Sequence, residues 1–338
     1  MNKLLIIFLF LLFACSKNET TTTPPTVVYN EFCTSDARFT EVEFFNDNQI
    51  DSEKDILYAS AENWFGIMQD LELDIYQPNQ NIDPMEKRPL VVLIHGGGFM
   101  GGNKLFLEDL CLEFSKRGFV CASIEYRLGR FELPESTQKA IYRAQQDANA
   151  ALRFLANKAE EYKIDTAHVF VGGQSAGAVT ALYVNYASED EWGFINPTLE
   201  SELGPLYQNG NNYTENVTIL GLFNNWGSVP NLIFSTDEMI PTIAFHGALD
   251  IVVPIDAYNQ LGFSLLGSRS IHNAMQSAGG CSDLTVEPQG GHGIYTNTEG
   301  LKFRASRASC FFKSVMCDQC QTVSFEGQEP PICFFDNN

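Results

Sequence analysis

A serine held between glycines, Gly173-Gln174-Ser175-Ala176-Gly177, follows the apolar run His168-Val169-Phe170-Val171 and precedes Ala178-Val179-Thr180-Ala181-Leu182-Tyr183. The pattern predicts strand, sharp turn, helix, with the Ser175 hydroxyl exposed at the head of a sheet beside a helix N-terminus. Glycines flank the turn because a side chain there would collide with neighbouring elements. Small residues around a serine also make ordinary turns, so the chemistry rests on what accompanies the motif. A hydroxyl is a weak nucleophile and needs a base that a third group orients.

If the chain order is serine, acid, histidine, two histidines come late enough to be that base, His272 and His292. His272 falls in a predicted helix over 270–277, where a lone histidine is ordinarily a surface residue. His292 sits in Gly290-Gly291-His292-Gly293, a glycine turn able to reach across to Ser175, and is favoured. For the acid, Asp250 ends Phe245-His246-Gly247-Ala248-Leu249-Asp250, just past an apolar strand, with Val252-Val253-Pro254 restarting the chain. Asp237, Glu238 and Asp256 are its rivals. The first two precede the strand, and Asp256 is expected to open a helix, where acids are ordinary caps. His246 is expected to brace the acid loop.

Acyl transfer through a serine also needs donors for an oxyanion. His95-Gly96-Gly97-Gly98-Phe99 follows the apolar run Pro89-Leu90-Val91-Val92-Leu93-Ile94, and its consecutive glycines leave backbone N–H groups open. Gly97 and Gly98, with the N–H of Ala176, form the expected oxyanion hole. A plain glycine turn or a phosphate loop are the alternatives, but the Lys-Ser/Thr of a Walker loop is missing and no dinucleotide-type acid pattern follows. His95 is expected to orient the loop. No metal or organic cofactor is indicated: Cys317-Asp318-Gln319-Cys320 lacks a second pair, so a disulfide is preferred to zinc.

The elements that must carry these residues read as follows. Alternation over 55–61 and 70–76 predicts partly exposed antiparallel strands. The continuous run over 89–94 is the pattern of a parallel strand buried on both faces, followed by a helix near 105–116, a strand over 119–126 and a long helix over 136–162. After the serine turn, 187–217 shows no clear period and is expected to be an insertion over the site. Strands over 218–223, 240–245 and 284–287 and a helix over 298–315 complete an α/β architecture, a central mostly parallel sheet with helices on both faces.

Together these motifs resemble the α/β-hydrolase superfamily, and within it the HGGG-type carboxylesterases. The chain also resembles the bacterial feruloyl and acetyl-xylan esterase-like group. Glu125-Tyr126-Arg127-Leu128 and Gln146-Asp147 are similar to family segments that support the oxyanion loop. The likeness implies a triad of Ser175, Asp250 and His292. Trp192, Phe194, Phe99, Met100 and Trp226 are either pocket residues or ordinary packing.

Met1-Asn2-Lys3 and the apolar run over 4–13 read as an export signal covering 1–14, and Leu12-Phe13-Ala14-Cys15 resembles a lipobox, making Cys15 the expected lipid attachment site. Cleavage without a lipid is the alternative. Residues 15–29 read as a flexible tether and 30–338 as the catalytic domain with a cysteine-rich tail. The expected setting is a bacterial outer membrane, with exposure at the cell surface open, since Cys15-Ser16-Lys17-Asn18-Glu19 resembles a surface-export signal.

Asp and Glu number 42 against 21 Lys and Arg, a net charge of -21, which argues against a nucleic-acid partner. Without Cys15, eight of the nine cysteines remain. They allow about a hundred pairings, so connectivity is not deducible, but the tail is expected to be tied by disulfides among Cys281, Cys310, Cys317, Cys320 and Cys333. Cys310 and Cys317 are about 10 Å apart along one helix and need other partners.

The expected activity is hydrolysis of short-acyl or hydroxycinnamoyl esters, including esters borne on glycans, through an acyl-enzyme. The alternatives are a peptidase or amidase of the same fold, and a non-catalytic surface binding protein on a hydrolase scaffold.

Overall fold

The computed structural model describes residues 31–33, 37–129, 134–260 and 262–333. The expected signal, Cys15 and tether lie outside the described residues. Among the described residues no helix is long and apolar enough to cross a membrane.

The chain runs β1 (Ile50–Glu62), β2 (Met68–Pro78), β3 (Arg88–Ile94), α1 (Glu108–Lys116), β4 (Val120–Ile124), α2 (Pro134–Asn157), α3 (Ala159–Tyr162), β5 (Ile164–Gln174) and α4 (Ala176–Tyr186). It continues through α5 (Glu189–Ile195), α6 (Leu199–Leu203), β6 (Ile219–Asn225), β7 (Ser228–Pro230), β8 (Thr242–Gly247), β9 (Ala257–Gln260) and β10 (Phe263–Gly267). The last elements are α7 (Ser268–Ser277), β11 (Ser282–Glu287), α8 (Thr298–Met316) and β12 (Val323–Glu326). Among the described residues nine strands form one sheet in the order β1-β2-β4-β3-β5-β6-β8-β11-β12. β1 with β2 and β2 with β4 are antiparallel, and every later pairing is parallel.

β3 shows why helices cover both faces. Its Leu90, Val92 and Ile94 point into a core shared with Ala148 and Leu155 of α2 and Ala181 of α4, whereas Val91 and Leu93 point the other way, among Phe114 of α1 and Phe312 of α8. On that second face Phe312 stacks on Phe170 of β5 with ring centroids 3.9 Å apart. The parallel sheet therefore has two apolar faces, and each needs its own helix layer.

Several expectations are corrected. The predicted helix at Asp256 is instead the hairpin β9–β10, which joins β7 in a separate three-stranded sheet ordered β7-β10-β9. Residues 187–217 contain the helices α5 and α6, and Trp192 of α5 is a core residue, packed between Tyr142 and Tyr183 with its Nε1 donating to Gln145 Oε1 at 2.7 Å. His272 is buried, its Nδ1 2.9 Å from Ser282 Oγ, because α7 turns that face onto β11. The tail adds β12 at the sheet edge beside β11.

Disulfides join Cys281 to Cys320 and Cys310 to Cys333, within the expected set, but Cys317 pairs with Cys33, which the sequence reading left out. The N-terminal turn Glu31–Cys33 packs at the end of α8, bringing the Cys33 and Cys317 Cα atoms to 5.5 Å. Cys111 and Cys121 are buried free thiols with sulfurs 3.0 Å apart.

Candidate active site

β5 delivers Ser175 at its C-terminal end, with α4 starting at the next residue. Ser175 has φ +54°, a left-handed backbone strained for a non-glycine residue and held here by its neighbours. A Cβ on Gly177 would strike the Ile94 carbonyl, and one on Gly173 would strike both Ile94 and Gly177, so both glycines are needed where the turn crosses β3. The Ser175 N–H donates to the Asn225 carbonyl at 2.9 Å, tying the turn to the end of β6.

His292 arrives from the loop between β11 and α8. Its Nε2 lies 2.8 Å from Ser175 Oγ, and its Nδ1 lies 2.7 Å from Asp250 Oδ2. A carboxylate only accepts, so Nδ1 carries the hydrogen and Nε2 is left to accept from the serine hydroxyl. Asp250 follows β8 and is buried, with Oδ1 accepting from the N–H groups of Val252 at 2.8 Å and Val253 at 2.9 Å. Burial pushes its acidity down, but contacts from His246, Val253, His292 and Val252 outweigh it and hold the carboxyl at about 2. Of the rivals, Asp256 pairs with Arg269 at 2.7 Å, and Asp237 and Glu238 sit in an exposed 3-10 turn.

The glycine loop leaves β3 beside the serine turn. A Cβ on Gly96 would lie 2.9 Å from the Gln174 carbonyl oxygen and 3.4 Å from Ser175 Cβ. Gly98 and Ala176 both line the cavity next to Ser175, and Ala176 opens its helix with an N–H that has no intrahelical partner. Gly97 does not line the cavity. Its carbonyl closes the turn, accepting from Met100 at 3.0 Å and Gly101 at 3.2 Å.

His95 is fully buried, stacked on Tyr126 at 4.3 Å, with Nδ1 2.7 Å from the Gly96 carbonyl and Nε2 3.7 Å from Glu125. Below it, Asp147 of α2 accepts from the Arg127 backbone N–H at 2.7 Å and pairs with its guanidinium. These contacts hold the loop from beneath.

A cavity of about 210 Å³ opens at Ser175. Ile141 of α2, Val179 of α4, Ile195 of α5 and Phe263 and Leu265 of β10 make its apolar wall, and a hydroxyl pair, Ser228 Oγ and Tyr258 Oη at 2.9 Å, supplies a polar side. Of the insertion at 187–217, only Ile195 reaches the cavity, while the β9–β10 hairpin contributes Tyr258, Gln260, Phe263 and Leu265. Gly262, ahead of the Phe263-Ser264-Leu265 alternation, was the available sequence signal for that hairpin.

Of the proposed pocket residues, Phe99 lines the cavity and the Trp226 ring lies 6.3 Å from that of His292. Phe194 and Met100 are exposed and do not line it. Beside Asp250 the rim is apolar: Ile251 is 92% exposed, with Leu249 and Val252 exposed next to it. Among the described residues, ligand atoms suited to a metal converge only at Glu41, Cys310 and Cys333, and those two sulfurs are bonded to each other.

The family model BD-FAE matches residues 73–227, a span that holds the glycine loop and the serine turn but neither Asp250 nor His292. An isoprenylcysteine alpha-carbonyl methylesterase of Arabidopsis thaliana is 24% identical over 242 residues, 63% of this chain and 52% of the relative. Esterase LipI of Mycobacterium tuberculosis is 31% identical over 120 residues, 35% of each chain. The chain spans only 20% to 52% of the length of the first such relatives.

Among solved structures, an esterase of Thermogutta terrifontis with bound propionate matches 76% of this chain and 90% of its own, at 19% identity and TM-score 0.54. A truncated carbohydrate esterase from gut microbiota matches 81% and 99%, at 16% identity and TM-score 0.56.

Proposed function

This chain is an α/β hydrolase by fold, and we propose that it is a serine carboxylesterase acting on short-acyl or hydroxycinnamoyl esters, including those borne on glycans, through an acyl-enzyme. The observation that carries the reading is the relay from Ser175 to His292 to Asp250 at 2.8 and 2.7 Å, opening on a cavity with an apolar wall.

His292 Nε2 takes the hydroxyl proton as Ser175 Oγ attacks the ester carbonyl. Asp250, ionised and fixed by two backbone N–H groups, stabilises the imidazolium that results. The oxyanion is received by N–H groups of the glycine loop and of Ala176, Gly98 and Ala176 being the two residues that face the cavity. The tetrahedral adduct collapses, the alcohol leaves with the proton returned by His292, and water repeats the sequence on the acyl-enzyme. The family match over the glycine loop and serine turn, and the esterase names of the curated relatives, support an ester rather than an amide.

The cavity volume favours an acyl group of modest size, since about 150 Å³ accommodates a benzene ring. The apolar rim at Leu249 and Ile251 favours esters with an apolar or aromatic part over small fully polar ones. Export and anchoring through Cys15 belong to the same proposal, with Cys15→Ala expected to release the protein from membranes.

The test is a panel of nitrophenyl esters of increasing acyl length, methyl ferulate, acetylated xylan and triolein, compared by kcat/KM. Ser175→Ala should lose about a million-fold in rate and all fluorophosphonate labelling while remaining folded. Near wild-type turnover by Ser175→Ala rejects the mechanism, and turnover of triolein without the other esters rejects the substrate class.

A further inference from the structure

Arg304, in α8, is fully buried, and among the described residues its partners are carbonyl oxygens and a ring, with no carboxylate within ion-pair distance. An unpaired cation is expensive to bury, and an apolar residue of similar volume would be easier to place. Its surroundings give a reason for keeping it.

The guanidinium reaches three segments that come together at the site. Nε donates to the Tyr295 carbonyl at 3.1 Å, three residues after His292. Nη1 donates to Asn225 Oδ1 at 3.0 Å. With the Gln174 amide turned so that its oxygen faces the guanidinium, Nη1 and Nη2 also donate to it at 3.2 and 3.3 Å. The guanidinium carbon lies 5.2 Å over the Trp226 ring, which in turn meets the His292 ring edge-on at 6.3 Å. Asn225 is the other clamp on the nucleophile: its Nδ2 donates to the Gly173 carbonyl at 2.8 Å, and its own carbonyl accepts from the Ser175 N–H at 2.9 Å.

We propose that Arg304 is a positioning residue, which fastens the serine turn, the end of β6 and the histidine loop to one another so that Ser175 and His292 keep their contact as charge develops between them. The inference rests on the esterase reading of this site. A planar fork with five N–H donors can serve several acceptors on three segments at once, whereas a lysine ammonium cannot span them. Burial also lowers the guanidinium to about 9, as expected of a buried cation with no carboxylate beside it. Arg304 touches no reacting atom, so its loss acts through the alignment of the two residues that do.

The experiment compares wild type, Arg304→Lys and Arg304→Ala. With a nitrophenyl acetate substrate, kcat should fall roughly 10- to 100-fold in both variants, as misplacement by about 1 Å would produce, with KM within about threefold of wild type. Fluorophosphonate labelling of Ser175 should slow in step. Guanidinium ion at a non-denaturing concentration should restore part of the Arg304→Ala rate, and sodium chloride at equal ionic strength should not. Amide exchange should quicken in 173–177 and 290–297 and stay unchanged in β3.

The proposal is overturned if both variants keep kcat within about threefold, or if kcat falls only in proportion to a lowered melting temperature with no guanidinium rescue. If Arg304→Ala does not fold, Arg304→Lys decides by the same split of kcat from KM. A wild-type protein that neither turns over esters nor labels defeats the esterase reading itself, an outcome distinct from a loss seen only in the variants.

Discussion

The Asp250 carboxylate stands between two imidazoles, with Oδ2 at 2.7 Å from His292 Nδ1 and at 3.4 Å from His246 Nε2. His246 Nε2 lies closer to the Val253 carbonyl, at 2.8 Å, so it carries a hydrogen, and its Nδ1 accepts from Ser268 Oγ at 2.7 Å. One histidine of the pair is thus locked by its neighbours, and the other is free to exchange a proton with Ser175. The acid loop braces itself through His246 and presents the second carboxylate oxygen of Asp250 to His292.

Asp250→Asn should therefore leave the loop in place and lose roughly ten-thousand-fold in kcat, because the amide holds the wrong tautomer of His292. The carboxyl is depressed from its ordinary 3.8 to about 2. Its contribution to stability is present above the unfolded value and lost as pH falls through the folded one. The difference in unfolding free energy between wild type and variant, measured by denaturant titration, should be on the order of 2 kcal/mol at neutral pH and shrink between about pH 4 and pH 2. A constant difference across that window would show that Asp250 is not held by these contacts.

What was legible in the sequence was local. The glycines of 173–177 and 95–98 and the buried run over 89–94 report backbone requirements within a few residues, and from them Ser175 could be put at a strand-to-helix turn, Gly98 in the loop after β3 and β3 inside the sheet. Asp250 and His292 were legible because strand ends in a parallel sheet gather at one edge, so chain order and element position were enough. Arg304 was not, because nothing near it in the chain shows that Tyr295, Asn225 and Gln174 converge there. Cys33 and Cys317 are separated by 284 residues, and only the packing of the N-terminal turn on α8 makes them neighbours. Asp256 was misread because an acid before a short segment fits a helix cap as well as a hairpin, and only pairing with β7 decides between them.

His272 offers a contrast with His292. Burial pushes its imidazole below the ordinary value, so it is neutral in the folded protein, whereas the unfolded chain takes up its proton first as pH falls. The sign is that stability drops on acidification below about 6.5. His272→Gln should leave ester turnover within about twofold and make thermal stability fall less steeply between about pH 6.5 and 5. Loss of turnover in this variant, with His292→Ala still active, would exchange the two roles.

The disulfide Cys33–Cys317 fastens the start of the described chain to the end of α8, the helix that carries Arg304. Replacing both cysteines by serine should lower stability on the order of 2–5 kcal/mol in denaturant melts, with little change in the activity of the protein that remains folded. Peptide mapping without reduction should recover 33 with 317, 281 with 320 and 310 with 333. A linkage between Cys317 and Cys320, or three free pairs, would refute the arrangement.

Val179 is expected to set how deep an acyl group can sit. It lies one helical turn beyond Ser175, its N–H donating to the Ser175 carbonyl at 2.9 Å, and its side chain faces the cavity with Ile141 and Ile195. Val179→Phe places a ring into that space without touching the relay, the glycine loop or Ala176. An acetyl group needs little of the cavity, so nitrophenyl acetate should keep kcat/KM within about threefold, whereas butyrate and methyl ferulate should lose at least about tenfold. The loss should exceed any change with acetate because the longer acyl groups must enter the occupied volume to bring their carbonyl to Ser175. Equal losses on acetate and ferulate would mean that the acyl group lies elsewhere, along the exposed rim of Leu249 and Ile251, and that the cavity holds the alcohol instead.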